Sequence, residues 1–173
     1  MKMIDVLLAE MDQEAQSTAR VLERVPQAQL SWRPHAKSFS LGQLALHVAT
    51  IPGNVAQLAS QQTIPEPPQF MQAEAATAAE LVPALKASLA KAREVLGGMD
   101  DAKLMETWRL MSGGKEILAM PRAAVIRMIM LKHWYHHRGQ LLVYLRMHNV
   151  PLPSVYGPTA DENPFAAAMA STH

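Results

Sequence analysis

Apolar residues recur at three- and four-residue steps in four stretches of the chain, and proline or glycine closes each one. Residues 3–25 place Ile4, Leu7, Leu8, Met11, Ala15, Thr18, Val21 and Leu22 on one face, and Pro26 ends the run. A second helix is predicted over 41–61. Ser38 or Ser40 caps it, and Gln43 supplies the reciprocal partner of a capping box on Ser40. Its stripe is Leu44, His47 or Val48, Ile51, Val55 and Leu58. Pro52 lies inside it and predicts a kink where neighbouring groups take up a freed carbonyl. Thr77 begins a third helix, marked by Leu81, Leu85, Leu89, Ala92, Val95 and Leu96 and closed near Gly97-Gly98. Pro121 opens the fourth, 122–148, at a position where its missing N–H costs nothing. Asn149 suits the left-handed residue after that helix, and Pro151 blocks continuation.

The connections read differently. Residues 26–39 are irregular, with Trp32 as a packing anchor and His35 exposed beside Pro34. Residues 64–76, rich in proline and glutamine, read as a crossover loop. Residues 105–120 flank Ser112-Gly113-Gly114 and predict a small hairpin or extended flap before the last helix. Residues 151–159 are turn-rich chain laid across the surface, and 166–173 read as a disordered tail. Four amphipathic helices with one long crossover imply an all-α fold, a four-helix bundle, in a single domain over 1–165.

Composition narrows the function classes. Sixteen basic residues against fifteen acidic ones give a net charge of +1, and no basic run exists, so no footprint for nucleic acid or an anionic membrane is expected. No stretch of about 18 apolar residues predicts a membrane span, and the N-terminus reads as an amphipathic helix rather than a signal peptide. The chain has no cysteine, which removes disulfides, thiolate ligands and a cysteine nucleophile, and fits a cytoplasmic setting.

The chemistry concentrates in histidine. His133 and His137 are four residues apart, one helical turn on one face, beside the apolar stripe of Ile126, Ile129, Met130, Leu141, Tyr144 and Leu145. His47 takes the equivalent place on the second helix. A histidine on an apolar stripe is more often a satisfied core residue than a ligand. Three of them converging on facing helices need a shared reason, and a divalent metal supplies one. Three neutral imidazoles make a first shell for Zn²⁺ or Ni²⁺ and leave a position open, which is the catalytic arrangement. His136 lies close to the same face, either at the rim, fixing an imidazole tautomer, or in place of His137. Gln140 is placed to hydrogen-bond a ligand or a backbone carbonyl. Asn54, two turns beyond His47, is a polar candidate for the pocket or a residue of its rim. Trp134-Tyr135-His136 between the two histidines contains no glutamate, so this is not the H-E-x-x-H protease motif. No carboxylate falls within 41–61 or 122–148, so a carboxylate-bridged di-iron site is excluded.

The segments Leu41-Gly42-Gln43-Leu44-Ala45-Leu46-His47, His133-Trp134-Tyr135-His136-His137-Arg138-Gly139-Gln140, Val150 to Pro158 and Trp32-Arg33-Pro34 together resemble the DinB-like (DNA-damage-inducible) superfamily over nearly the whole chain. The resemblance implies a bundle of up-down-down-up arrangement, a homodimer, and a histidine triad, His47, His133 and His137 here, binding a divalent metal. It also implies a low-molecular-weight thiol as cosubstrate, since characterised relatives are bacillithiol or mycothiol S-transferases and a mycothiol-dependent maleylpyruvate isomerase. The expected activity is therefore a metal that activates a small-molecule thiol for attack on an electrophile. A hydrolase using metal-bound hydroxide and a non-catalytic metal-binding stress module are the competing expectations.

Overall fold

The computed structural model describes residues 2–68 and 73–166. The expected tail over 166–173 lies, beyond residue 166, outside the described residues. The fold is mostly helical: α1 (Met3–Leu22), α2 (Leu41–Ser60), α3 (Leu81–Gly97), a short α4 (Asp101–Met105), α5 (Arg122–Val125) and α6 (His133–Met147). A π-helical stretch, Ile126–Lys132, joins α5 to α6, so residues 122–147 form one long helical run with a widened middle.

The local chemistry explains the boundaries. Ser40 Oγ accepts from the Gln43 backbone at 3.1 Å while Gln43 Oε1 accepts from the Ser40 N–H at 2.9 Å, which closes the capping box of α2. α1 stops at Leu22, three residues before the predicted end, because Glu23 and Arg24 already close a turn. Thr77 precedes one turn of 3-10 helix, Ala78–Glu80, and α3 proper starts at Leu81. Asn149 takes a φ of 56°, the left-handed conformation that follows the last helix.

The mostly helical expectation holds, and the predicted hairpin belongs to a small three-stranded sheet. The hairpin is a true pair of strands, β2 (Thr107–Ser112) and β3 (Lys115–Pro121), and a third strand, β1 (Thr63–Ile64), pairs in parallel with β2 at Arg109 and Leu110. Gly113 and Gly114 both have positive φ, 54° and 77°, as a tight two-residue hairpin turn requires. β1 escaped the sequence reading because two residues inside a proline-rich loop carry no alternation to detect.

Paired contacts give the helix directions. His47 meets His133 and Arg122 reaches Ala59, so α2 runs antiparallel to residues 122–147. Glu10 meets Tyr135 and Glu14 meets Arg138, so α1 runs parallel to them. Ser88 bonds Thr50, and Ser60 shares a groove with Val95, so α2 and α3 run parallel. These two helices pack closely. A Cβ on Gly53 would lie 2.9 Å from the Ser88 carbonyl, and the Gly53 N–H donates to Ser88 Oγ at 2.8 Å.

Met11 and Val21 of α1, Leu44, Val48 and Ile51 of α2, Leu81 and Leu85 of α3, and Trp134, Leu141 and Leu145 of α6 are buried in one core. Each such aliphatic side chain contributes roughly 1.5–3 kcal/mol relative to exposure. Arg122 is fully buried as well. Its guanidinium donates to the Ala59 and Gln61 carbonyls at the C-terminus of α2 and lies 3.3 Å from Glu106, so the cation meets the negative end of that helix. Among the described residues, no helix is long and apolar enough to cross a membrane.

Candidate metal centre

Two helices supply the centre. The capping box starts α2 at Leu41 and sets His47 near the end of its second turn, while α6 presents His133 and His137 one turn apart. The antiparallel crossing of α2 and α6 then brings the three together. One nitrogen from each ring lies within 4.8 Å of the others. Nε2 of His47 and Nε2 of His133 are 3.4 Å apart. The ring centroids of His137 lie 4.7 Å from those of His47 and 4.5 Å from those of His133. Two nitrogens on a tetrahedral zinc, at about 2.0–2.1 Å each, stand roughly 3.4 Å apart, so the residues present fit such an ion. No other cluster of three or more metal-ligating side chains occurs among the described residues.

The supporting contacts orient the rings. Gln140 Oε1 sits 2.7 Å from Nδ1 of His137 and, being an acceptor only, takes its proton, which leaves Nε2 of that ring with a free lone pair. His133 hydrogen-bonds the backbone carbonyl of Ile129. Phe39 meets His47 edge to face, with centroids 5.8 Å apart. Burial pushes the His137 imidazole down to about 4; Gln140 opposes this, and the neighbouring histidines reinforce it. Burial also lowers His133, against the pull of the Ile129 carbonyl. Both rings are therefore neutral near pH 7, the form that ligates a metal.

The remaining candidates are placed differently. His136 is exposed and packs edge-on against His137 at 5.0 Å. Asn54 is exposed and lines a separate groove between α2 and α3 with Thr50, Ser88 and Lys91.

His133 and His137 are half-buried rather than pointed into the core. The fully buried stripe of the last helix runs Met130, Trp134, Arg138, Leu141, Leu145, one position past the histidines. The π stretch explains the offset. Its turns hold more residues than an α-helix, so the core-facing register moves forward before His133 is reached. The histidines are left on the edge of the core, where a small molecule can approach.

Two residues that the sequence reading passed over support this arrangement. The Trp134 Nε1–H donates to the Val48 carbonyl at 2.8 Å, tying α6 to α2 one residue from each of His133 and His47. Arg138, 1% exposed, donates to Thr18 Oγ1 at 3.0 Å, to the Glu14 carboxylate at 2.5 Å and to the Tyr156 hydroxyl at 2.6 Å. It joins α1, α6 and the C-terminal segment directly beside His137. Its signal was available: an arginine on the stripe of Trp134, Leu141 and Leu145 must be paired. Burial and Glu10, which accepts from its hydroxyl at 3.0 Å, raise the pKa of Tyr135 at the same junction.

A family model described as the DinB superfamily matches residues 10–141. Two solved structures share the fold. A DinB-like protein of Bacillus cereus superposes with a TM-score of 0.66 at 21% identity, covering 87% of this chain and 95% of its own. A DinB-like protein of Bacillus subtilis gives 0.65 at 20% identity, covering 86% and 96%. No curated protein sequence matches.

Proposed function

This chain belongs to the DinB superfamily, and on that premise we propose that His47, His133 and His137 hold one divalent metal ion, zinc or nickel, in a metal-dependent enzyme that uses a low-molecular-weight thiol against an electrophile. The observation that carries the reading is the convergence of three nitrogens from two helices to within 4.8 Å of one another. When bound, the ion supplies Lewis acidity that lowers the pKa of a thiol or water.

The chain's own residues do the rest. Gln140 and the Ile129 carbonyl hold two rings by their outer nitrogens, so the inner nitrogens face one point. Trp134 and Arg138 fix α6 against α2 and α1. Three imidazole ligands bring no negative charge, and 41–61 and 122–148 hold no carboxylate. A cosubstrate arriving as an anion complements that charge, and no acidic side chain of these helices stands ready as a base for water. Both points favour a thiol over hydrolysis.

In the same reading the four long helical segments form an up-down-down-up bundle, which the parallel and antiparallel pairings support. The protein works as a homodimer in the cytoplasm, where small thiols stay reduced.

Elemental analysis of the purified protein, compared with His133→Ala and His137→Ala, tests the centre. One divalent metal per chain, lost in both variants, is the expected result; a metal-free wild type after incubation with zinc or nickel would sink it. Turnover of electrophiles that requires added thiol supports the transferase, and turnover without thiol replaces it with a hydrolase.

A further inference from the structure

A cavity of about 120 Å³ lies between α2, the π stretch and the hairpin. Val55 and Leu58 of α2, Trp108 and Leu110 of β2, and Val125 and Ile129 of the last helical run form most of its wall, and every lining side chain is apolar. Trp108 contributes only its ring, because its Nε1–H is already given to the Leu58 carbonyl at 3.0 Å. Val55, Trp108 and Val125 are buried, whereas Leu58, Leu110 and Ile129 are partly exposed, so the cavity has a mouth at the surface. Water gains nothing in such a site, since it needs two or more polar partners. An apolar cavity of roughly 150 Å³ in another protein takes up benzene, and this one is of that order.

Its position gives it meaning. Ile129 lines the cavity, and its carbonyl holds the His133 ring one helical turn away, a rise of about 6 Å. We propose that this cavity is a binding site for a small apolar group, a single aromatic ring or a branched alkyl chain, carried by the molecule that reaches the three histidines. That the group belongs to the reacting molecule rests on the metal-centre reading; that the cavity binds it does not. Ile129 is the lining residue nearest the centre; Val55 lies eight positions beyond His47 on α2, a rise of about 12 Å, so a ring seated against Val55 and Trp108 needs an arm that spans about two helical turns to the histidines. The electrophile is then an apolar compound whose reactive group sits at the end of an extended arm, rather than a sugar or a phosphorylated metabolite, for which the wall offers no hydrogen-bonding group.

Bromobenzene is the probe, because its heavy atom quenches tryptophan on contact and Trp108 lines the wall. Titrated into the full-length protein, it is expected to quench fluorescence saturably and to raise Tm. Val55→Phe fills the cavity and should remove both effects; Leu110→Phe, at the partly exposed side, serves if that variant does not fold. Trp108→Phe should lose the saturable quenching and keep the rise in Tm. Quenching that stays linear with concentration, or that persists unchanged in the filled variant, overturns the proposal. Metal content measured on the same samples reports the histidine centre separately, so a failure there leaves the cavity result standing.

Discussion

The carbonyl that Trp134 bonds is the one that Pro52 leaves without a donor. In an uninterrupted helix the N–H of residue 52 would reach the Val48 carbonyl; proline has none, and the indole N–H of Trp134 occupies the place at 2.8 Å. The proline in α2 and the indole in α6 are thus two halves of one contact, set beside His47 and His133.

That pairing predicts a coupling. Trp134→Phe strands a buried carbonyl and should cost about 1–3 kcal/mol in urea denaturation. In a Pro52→Ala background the restored N–H serves Val48, and the same substitution should cost clearly less. An equal cost in both backgrounds would show that the two residues do not share that carbonyl.

The neighbours of the imidazoles should separate by role. Gln140→Leu removes the acceptor on His137 Nδ1, and metal affinity, read by chelator competition, is expected to fall about 10–100-fold. His136→Ala leaves all three convergent nitrogens in place and should keep wild-type affinity. A loss with His136→Ala as large as with His137→Ala would reassign the ligand.

Acid should weaken the metal-free fold through these same rings. The folded pKa of His137, about 4, lies below the ordinary value of 6.5, so the unfolded chain binds more protons between the two. Stability is therefore whole above about pH 6.5 and declines as pH falls towards 4; His133, also lowered, acts in the same direction. Partial exposure limits the effect of His137 to ~1–2 kcal/mol. Thermal melts of wild type and His137→Gln at pH 7 and pH 4.5 give the measurement, and the variant should lose less. An identical drop in both would remove His137 as the cause.

Arg138 should matter more than its hydroxyl partner. Arg138→Met leaves the Glu14 carboxylate, 13% exposed, without its cation and should cost about 3–5 kcal/mol. Tyr156→Phe removes the hydroxyl that accepts from Arg138 and donates to Glu14, at the exposed side of the same network, and should cost about 1–2 kcal/mol. Comparable losses would mean that the ion pair does not hold the junction together.

Much of this was readable from the chain. The capping box of Ser40 and Gln43, the stop at Asn149 and the hairpin turn at Gly113-Gly114 depend on neighbours within four residues, and local pattern carries such information well. The three histidines were legible because each sits beside an apolar stripe. What the pattern could not carry was register and partnership. The π stretch shifts the buried face by one position without any proline or glycine to announce it, so the histidines turn out to border the core. Strand β1 exists only because β2 offers it an edge. Arg122 and Arg138 are buried because distant carbonyls and a carboxylate receive them, and those partners are 61 to 124 positions away in sequence.

That long-range character reaches the centre itself. His47 and His133 are separated by 86 positions, and α3 and the hairpin lie between them. Closing such a loop costs conformational entropy, which the packing of the intervening helix and sheet offsets when His47 joins the other two imidazoles. A polypeptide still emerging from the ribosome holds only His47 until α6 has been made. A metal held by all three imidazoles would therefore report that both ends of the chain have reached their places in the fold.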